Sequence, residues 1–352
     1  MKKQLKKAAC FTDIHWGAKT NSELHNQDCL NFIEWFCAQV KKDKEIDHIC
    51  FLGDWFENRS AINVSTINYS YRGAKLLNEL NLPIFFVVGN HDLYHRHTRE
   101  IHSVVNFKEF TNFKIIDDPI IIPEIGDGGA VFSPYLFHEE YPQLTKLLNY
   151  KTWWGHFEFK GFVVTGYNII LPTGPDPKDY LGPKRIFSGH FHKRQEELHV
   201  QYIGNVFPTT FGDANDVNRG MMIYDHETDK VQYKNWENCP KYLKFKLSDI
   251  LDKSVKFYEN ARVKCVADIP ISFEDSTHLR QTFLKKYKLR EFTMEESYEI
   301  KAALTETETF IDISNSTTLD SVDNLVIEML KDIKSEHINN DILIEEYRKI
   351  KV

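Results

Sequence analysis

Five short segments of this 352-residue chain end in residues of the types that bind divalent cations. They are Asp13-Ile14-His15, Gly53-Asp54, Gly89-Asn90-His91-Asp92, Gly155-His156 and Gly189-His190-Phe191-His192. A lone His or Asp is usually an ordinary, partly buried side chain, but five spaced segments supply carboxylate, amide and imidazole donors for two adjacent ions. Two cations about 3.5–4 Å apart can activate a water and stabilise the oxygens of an in-line attack on phosphorus. Phosphoester hydrolysis is the chemistry to which the pattern points.

Each segment follows a run suited to a buried strand. The runs are Ala8-Ala9-Cys10-Phe11, His48-Ile49-Cys50-Phe51-Leu52, Ile84-Phe85-Phe86-Val87-Val88, Thr152-Trp153-Trp154 and Arg185-Ile186-Phe187. Short apolar runs stopped by Gly read as strands, and open α/β sheets place ligands beyond the carboxyl ends of their strands. Between the first two, Leu30, Ile33, Phe36, Cys37 and Val40 recur at helical spacing, as Ile67, Ala74, Leu77 and Leu80 nearly do before the third. Strand and helix alternate, so a layered α/β domain is expected.

Composition sets the outer limits. With 42% apolar and 13% aromatic residues the chain can hold a full core and more than one domain. It contains no apolar run of about 18 residues or more, so no membrane span is expected, and its Lys-rich start lacks the apolar middle of a secretory signal. Six cysteines at 10, 29, 37, 50, 239 and 265 form no paired motif. They read as reduced core thiols of a cytoplasmic protein, which argues against zinc held through Cys. The net charge of −7 does not by itself exclude a polyanion, because bound metals bring local positive charge. Basic residues stand close in sequence to the ligand segments: Arg96, Arg99, Lys184, Arg185, Lys193 and Arg194. From Glu291 to Glu346, in contrast, 15 acidic residues face three basic ones, a stretch better suited to a protein partner or solvent than to DNA.

Three regions are expected. The ligand-bearing domain runs over 1–238, closing after the strand-like Gly220-Met221-Met222-Ile223-Tyr224. A smaller α+β unit over 241–312 would have strands at Leu243–Leu247 and Val263–Ala267 and a helix at Ser276–Tyr287. After the polar linker Ser314–Thr318, helices over 319–352 carry the stripe Leu319, Val322, Val326, Met329, Leu330 and Ile333, with a second short helix from Ile342 to Ile350.

In this order, the five segments resemble those of the calcineurin-like metallophosphoesterase superfamily. Within it the chain looks most like the nuclease subunit of the SbcCD and MRN type of DNA-repair complex, its phage recombination-nuclease version above all. The resemblance rests on Asp13-Ile14-His15-Trp16-Gly17 and on Tyr202-Ile203-Gly204-Asn205 followed by Phe211-Gly212-Asp213. It implies an α-β-β-α metallophosphoesterase sandwich with a smaller DNA-capping domain and C-terminal helices that bind a separate SMC-type, SbcC-like ATPase. It also implies a homodimer through helices of the first domain, such as Thr66–Leu80. The activity implied is double-strand exonuclease and single-strand endonuclease action in recombination and repair, with two divalent cations, Mn²⁺ first and Mg²⁺ or Fe²⁺ as alternatives. DNA ends and single strands would be the partners, in the cytoplasm, or the host cytoplasm if the chain is phage-encoded.

Carried over residue by residue, the resemblance implies one ion held by Asp13, His15, Asp54 and His192. The second would take Asp54 as a bridge, with Asn90, His156 and His190. His91 would protonate the leaving 3′ oxygen or steady the scissile phosphate, and Asp92 would orient the His91 ring. The chain departs at Glu57, where cellular members of this branch carry His. A carboxylate cannot make the same cationic contact to phosphate.

Two other classes compete. A phosphatase or small-molecule phosphodiesterase could use the same scaffold, but protein phosphatases here read Gly-Asp-x-x-Asp-Arg-Gly. This chain reads Gly-Asp-Trp-Phe-Glu-Asn-Arg from Gly53 to Arg59. A non-catalytic scaffold is disfavoured because every expected ligand is present. His95, His97 and His102 read as a solvated loop, Lys2, Lys3, Lys6 and Lys7 as a solvated terminus, and Trp153-Trp154 as core.

Overall fold

The computed structural model describes residues 4–164, 169–296 and 340–349. Each apolar run that precedes a ligand segment is a strand. Strands β1 (Lys7–Phe11), β2 (His48–Phe51), β3 (Ile84–Val87) and β4 (Phe113–Ile116) run parallel, β13 (Gly220–Asp225) adds antiparallel to β1, and β14 (Lys230–Asn235) adds antiparallel to β13. A second six-stranded sheet has a parallel centre of β6 (Ala130–Ser133), β7 (Thr152–Gly155), β10 (Arg185–Ser188) and β12 (Val200–Tyr202). Its antiparallel edges are β5 (Ile120–Ile122) and β11 (Gln195–Glu197).

The sheets face each other across one apolar layer. Alternation along each strand sends Cys10, Cys50, Phe85, Val87, Phe132, Trp154, Phe187, Met222 and Tyr224 into it. Trp154 stacks on Phe187 at 4.6 Å between ring centroids, while Trp153 faces the outer core, so both tryptophans are packing residues. Helices α2 (Glu23–Lys42) and α3 (Val64–Asn78) cover the outer face of the first sheet. The second sheet is covered by the 3₁₀ segments His138–Leu147 and Pro177–Tyr180, through Tyr141, Leu144 and Tyr180. All six cysteines are buried and free.

Helix α2 follows the expected stripe, with Leu30, Ile33, Phe36, Cys37 and Val40 buried. Helix α3 buries Ala74 and Leu77 as expected, but its buried face continues through the small residues Thr66, Ser70 and Gly73 in place of Ile67. A Cβ on Gly73 would crowd the Trp16 ring at 2.9 Å, so close approach of the helix selects small residues. Val64, Ile67 and Tyr71 are consequently left outward, and Ile67 does not join the core as its spacing suggested.

A third sheet of β15 (Tyr242–Lys246), β16 (Arg262–Ala267) and β17 (Glu291–Glu296), with β15 and β16 parallel, closes over a separate core with Leu243, Val263, Cys265 and Phe292. Its long helix α5 spans Phe273–Lys286 and starts where the Ser272 hydroxyl accepts from the Asp275 amide. The unit is tied to α2 by a bidentate pair between Arg290 and the buried Asp28, at 2.5 and 2.8 Å. The chain divides into compact units Met1–Glu295 and Glu296–Val352. Of the second, helix α6 (Asn340–Lys349) is described, while the expected stripe from Leu319 to Ile333 lies outside the described residues. Among the described residues no helix is long and apolar enough to cross a membrane.

Helix α2 also steadies the first ligand segment. Its buried His25 donates from Nε2 to the His15 carbonyl at 2.9 Å, and burial lowers the His25 pKa from 6.5 to about 4. The folded state thus keeps this ring neutral where the unfolded chain would protonate it. Its contribution to stability is complete above pH 6.5 and is lost as pH falls from 6.5 towards 4, at about 1.4 kcal/mol per pH unit. Denaturant unfolding across that window is expected to show a shallower pH slope for His25→Gln than for wild type.

Candidate metal centre

The carboxyl ends of β1, β2 and β3 in one sheet and of β7 and β10 in the other meet at one edge of the sandwich. Beyond β1 and β2 the two loops continue as a zipper of main-chain hydrogen bonds. Asp13 N donates to Gly53 O at 3.0 Å, His15 N to Asp54 O at 3.2 Å, Trp16 N to Trp55 O at 2.8 Å and Glu57 N to Trp16 O at 3.0 Å. Asp13, His15, Asp54 and His190 all take positive φ, at 52°, 51°, 59° and 87°. Such left-handed positions in non-glycine residues store strain and concentrate at functional sites. The glycines serve close approach as well as strand termination. A Cβ on Gly89 would overlap the Asp54 carboxylate and main chain, and one on Gly189 would overlap Thr12 and the Leu52 carbonyl.

The seven residues expected to bind metal converge in two overlapping groups. In the first, His15 Nε2 lies 3.1 Å from His192 Nε2 and 3.9 Å from both Asp13 Oδ1 and Asp54 Oδ2. In the second, His156 Nε2 and His190 Nδ1 lie 2.9 and 3.0 Å from Asn90 Oδ1, and His156 Nε2 is 3.4 Å from Asp54 Oδ2. Donors around an ion with bonds of about 2.0–2.2 Å sit roughly 3.0–3.5 Å apart; the second group matches that spacing, while the first is wider, with His15 and His192 at 3.1 Å but the carboxylates at 3.8–3.9 Å. Asp54 serves both groups through one atom. Its Oδ1 accepts from the His91 amide at 2.8 Å, which leaves Oδ2 between the two imidazole sets. Asp13 is held by the Thr12 hydroxyl at 2.6 Å and the His190 amide at 3.1 Å.

The electrostatics suit cations. Burial alone would depress the His15 imidazole, but Glu57, Asp54 and Asp13 raise it to about 9. His156 is likewise depressed by burial yet raised to about 9 by Asp54 and Asp13. Burial works against the Asp54 charge, and the surrounding imidazoles nonetheless hold its carboxyl well below the usual range.

Asp92 has a different part from the one expected. Its carboxylate does not reach the His91 ring. It accepts from the amides of Gly89, Asp54, Trp55 and Phe56 at 3.0–3.3 Å, joining the loops after β2 and β3. Burial, helped by the Asp54 charge, pushes its pKa up to about 6 in spite of those amides. The His91 ring is oriented instead by Glu57, whose carbonyl accepts from Nδ1 at 2.8 Å, and it stands edge-on to His15 at 4.9 Å. Geometry forces this: a side chain that turns inward to four amides cannot also reach the neighbouring ring.

Glu158 and Tyr135 were not legible as site residues, and Glu57 stood out only as a departure from the family pattern. Glu57 Oε2 is 2.8 Å from His15 Nδ1; Glu158 Oε1 is 3.7 Å from His190 Nε2, and its Oε2 accepts from the Tyr135 hydroxyl at 3.0 Å. Several basic residues near the ligands in sequence are committed elsewhere. Lys184 and Arg185 pair with Asp229 at the amino end of β10, about 10 Å of strand from the ligand end. Arg99 pairs with Glu140 and Asp118, and Arg194 lies over the Tyr233 ring. His102 is buried near Asp117, not solvated.

Removing the Asp92 carboxylate leaves four amides without their acceptor. Asp92→Ala is expected to lower the unfolding free energy by about 3 kcal/mol or more, read from denaturant melts of the metal-free protein. A part confined to the His91 ring would leave that free energy unchanged.

The chain is 26% identical over 226 residues to exonuclease subunit 1 of Enterobacteria phage T4, covering 63% of this chain and 65% of that protein's length. It is 23% identical over 340 residues to the DNA double-strand break repair protein Mre11 of Methanocaldococcus jannaschii, covering 88% of this chain and 86% of that one. Among solved structures, a dimetal phosphatase from Danio rerio aligns over 63% of this chain and 93% of its own, with a TM-score of 0.41 and 8% identity. The family model for calcineurin-like phosphoesterases matches residues 6–194, more than half of the chain and the whole stretch from Asp13 to His192 that holds the five segments, and the chain belongs to that family.

Proposed function

We propose that this protein is a two-metal-dependent DNA nuclease, the nuclease subunit of a recombination or repair complex. The observation that carries the reading is the Asp54 carboxylate, whose Oδ2 is shared by two ligand groups while its Oδ1 is fixed by the amide of the adjoining His91. Support for DNA as substrate comes from the relatives, one named an exonuclease subunit and the other a DNA double-strand break repair protein. Asp13, His15, Asp54 and His192 would hold one ion, and Asp54, Asn90, His156 and His190 the other. Oxygen donors mixed with imidazoles suit Mn²⁺ or Fe²⁺, with Mn²⁺ preferred and Mg²⁺ a weaker substitute. When bound, the pair supplies Lewis-acid stabilisation of the phosphoryl oxygens and a water nucleophile at neutral pH.

The chain's own residues do the rest. With its Nδ1 proton committed to the Glu57 carbonyl, His91 exchanges a proton only at Nε2. That nitrogen would protonate the leaving 3′ oxygen, so a 5′-phosphate is left on the product. Asp92 holds the loops that carry Asp54, Asn90 and His91. Residues 1–238 would form the nuclease domain, 241–312 a DNA-capping unit and 319–352 the helices that dock an SMC-type ATPase. The separate core around Leu243, Val263 and Phe292 supports the second of these. A homodimer would use α3, whose outward Val64, Ile67 and Tyr71 follow one another at helical spacing.

End-labelled duplex and single-stranded DNA, assayed with Mn²⁺ and Mg²⁺ beside bis- and mono-nitrophenyl phosphate, tests the reading. Mn²⁺-dependent DNA hydrolysis is expected, with kcat reduced about 10²–10⁴-fold in His91→Ala and Mn²⁺ stoichiometry unchanged. Turnover of mono-nitrophenyl phosphate without DNA cleavage would overturn the nuclease reading in favour of a phosphatase. Unaltered cleavage by His91→Ala would remove His91 from the catalytic set.

A further inference from the structure

We infer that Glu57 is a positioning residue that makes the Asp13/His15/Asp54/His192 position the tighter of the two cation positions. The inference deepens the two-metal reading and rests on it. It begins from an asymmetry in what stands behind the ligand imidazoles. His15 presents Nε2 to the first group, and its other nitrogen, Nδ1, is 2.8 Å from the Glu57 carboxylate. His156 presents Nε2 to the second group, and its Nδ1 donates to a neutral acceptor, the Leu52 carbonyl, at 2.6 Å. His190 presents Nδ1, and its Nε2 is 3.7 Å from Glu158, beyond hydrogen-bonding distance, while Glu158 is engaged by the Tyr135 hydroxyl. Among these three rings, His15 alone has a carboxylate oxygen as near as 2.8 Å to its outward nitrogen, an ion-pair contact and not an aligned hydrogen bond.

A carboxylate close behind a ligating imidazole raises its basicity towards a cation through its negative charge. A carbonyl fixes the tautomer but adds no charge. The Glu57 carboxylate therefore strengthens His15 more than Leu52 strengthens His156, and the first position should fill first.

The fold holds Glu57 for this purpose from both sides of its main chain. Its amide donates to Trp16 O at the end of the loop zipper, and its carbonyl accepts from His91 Nδ1. The residue thus spans a cation ligand and the proposed proton donor, so His15 and His91 keep their relative placement. Its side chain is 41% exposed at the rim of the site, so it belongs to no core whose loss would unfold the protein.

Titration of the metal-free full-length protein with Mn²⁺ tests this, with isothermal calorimetry for the two affinities and electron paramagnetic resonance for free ion. Wild type should bind two ions with separable affinities. Glu57→Gln and Glu57→Ala should weaken the tighter step by roughly 10–100-fold and move the weaker step by less than about threefold, with the metal-free melting temperature unchanged. Equal weakening of both steps, or an unchanged first step in both variants, would overturn the inference. DNA cleavage is not its readout. Wild type that binds two Mn²⁺ but cuts no DNA would sink the nuclease reading, and the titration would still decide the part of Glu57. Absence of Mn²⁺ binding by wild type would overturn both.

Discussion

Four main-chain N–H groups converge on the buried Asp92 carboxylate, and the geometry of the site follows from that convergence. Gly89 supplies one, from the loop after β3; Asp54, Trp55 and Phe56 supply the others, from the loop after β2. Buried amides need acceptors, and a charged acceptor makes the stronger bond. The loop carrying Asp54 and the loop carrying Asn90 and His91 are thereby joined as one piece. Asp54 can then receive the His91 amide on one oxygen and leave the other between two sets of imidazoles.

The same site is kept under tension. Four of the candidate ligands take left-handed backbone conformations, and glycines admit neighbouring loops where any side chain would collide. Strain of this kind costs of order 1–3 kcal/mol per residue and persists only where the surroundings over-determine it. Here the surroundings are two sheets packed on a shared aromatic layer, with Trp154, Phe187, Phe132 and Phe85 between them. The stiffness of that layer lets five loops from two sheets hold donors within a few tenths of an ångström of cation-binding spacing. Imidazoles raised by acidic neighbours, and a shared carboxylate held ionised, describe a pocket that draws positive charge.

The strand logic and the convergence of the candidate donors were legible because each candidate segment follows directly on an apolar run that stops. Of the strands without such an ending, β13, β15 and β16 were still legible as apolar runs, but β4, β5, β6 and β14 were not; they carry no ligand candidate and close the sheets as edges or partners. Helix α3 shows the limit of periodicity. Ile67 fits an apolar stripe, yet the helix buries its small face against Trp16 and turns Ile67 outward. The basic residues show the limit of sequence proximity, since Lys184 and Arg185 lie at the wrong end of a strand and are neutralised by Asp229.

By itself the sequence determined which donor types are available, in what order they come, and that strands deliver them to one edge of a sheet. Those properties are local: strand period, glycine stops and side-chain chemistry do not depend on the rest of the chain. Tertiary structure alone decided which groups stand behind the donors. Asp92 turned from the adjacent ring to the amides of another loop, and Glu57 came to support two histidines 42 and 34 residues away. Hydrogen bonds between loops depend on how two strands align in space, and no spacing along the chain encodes that alignment.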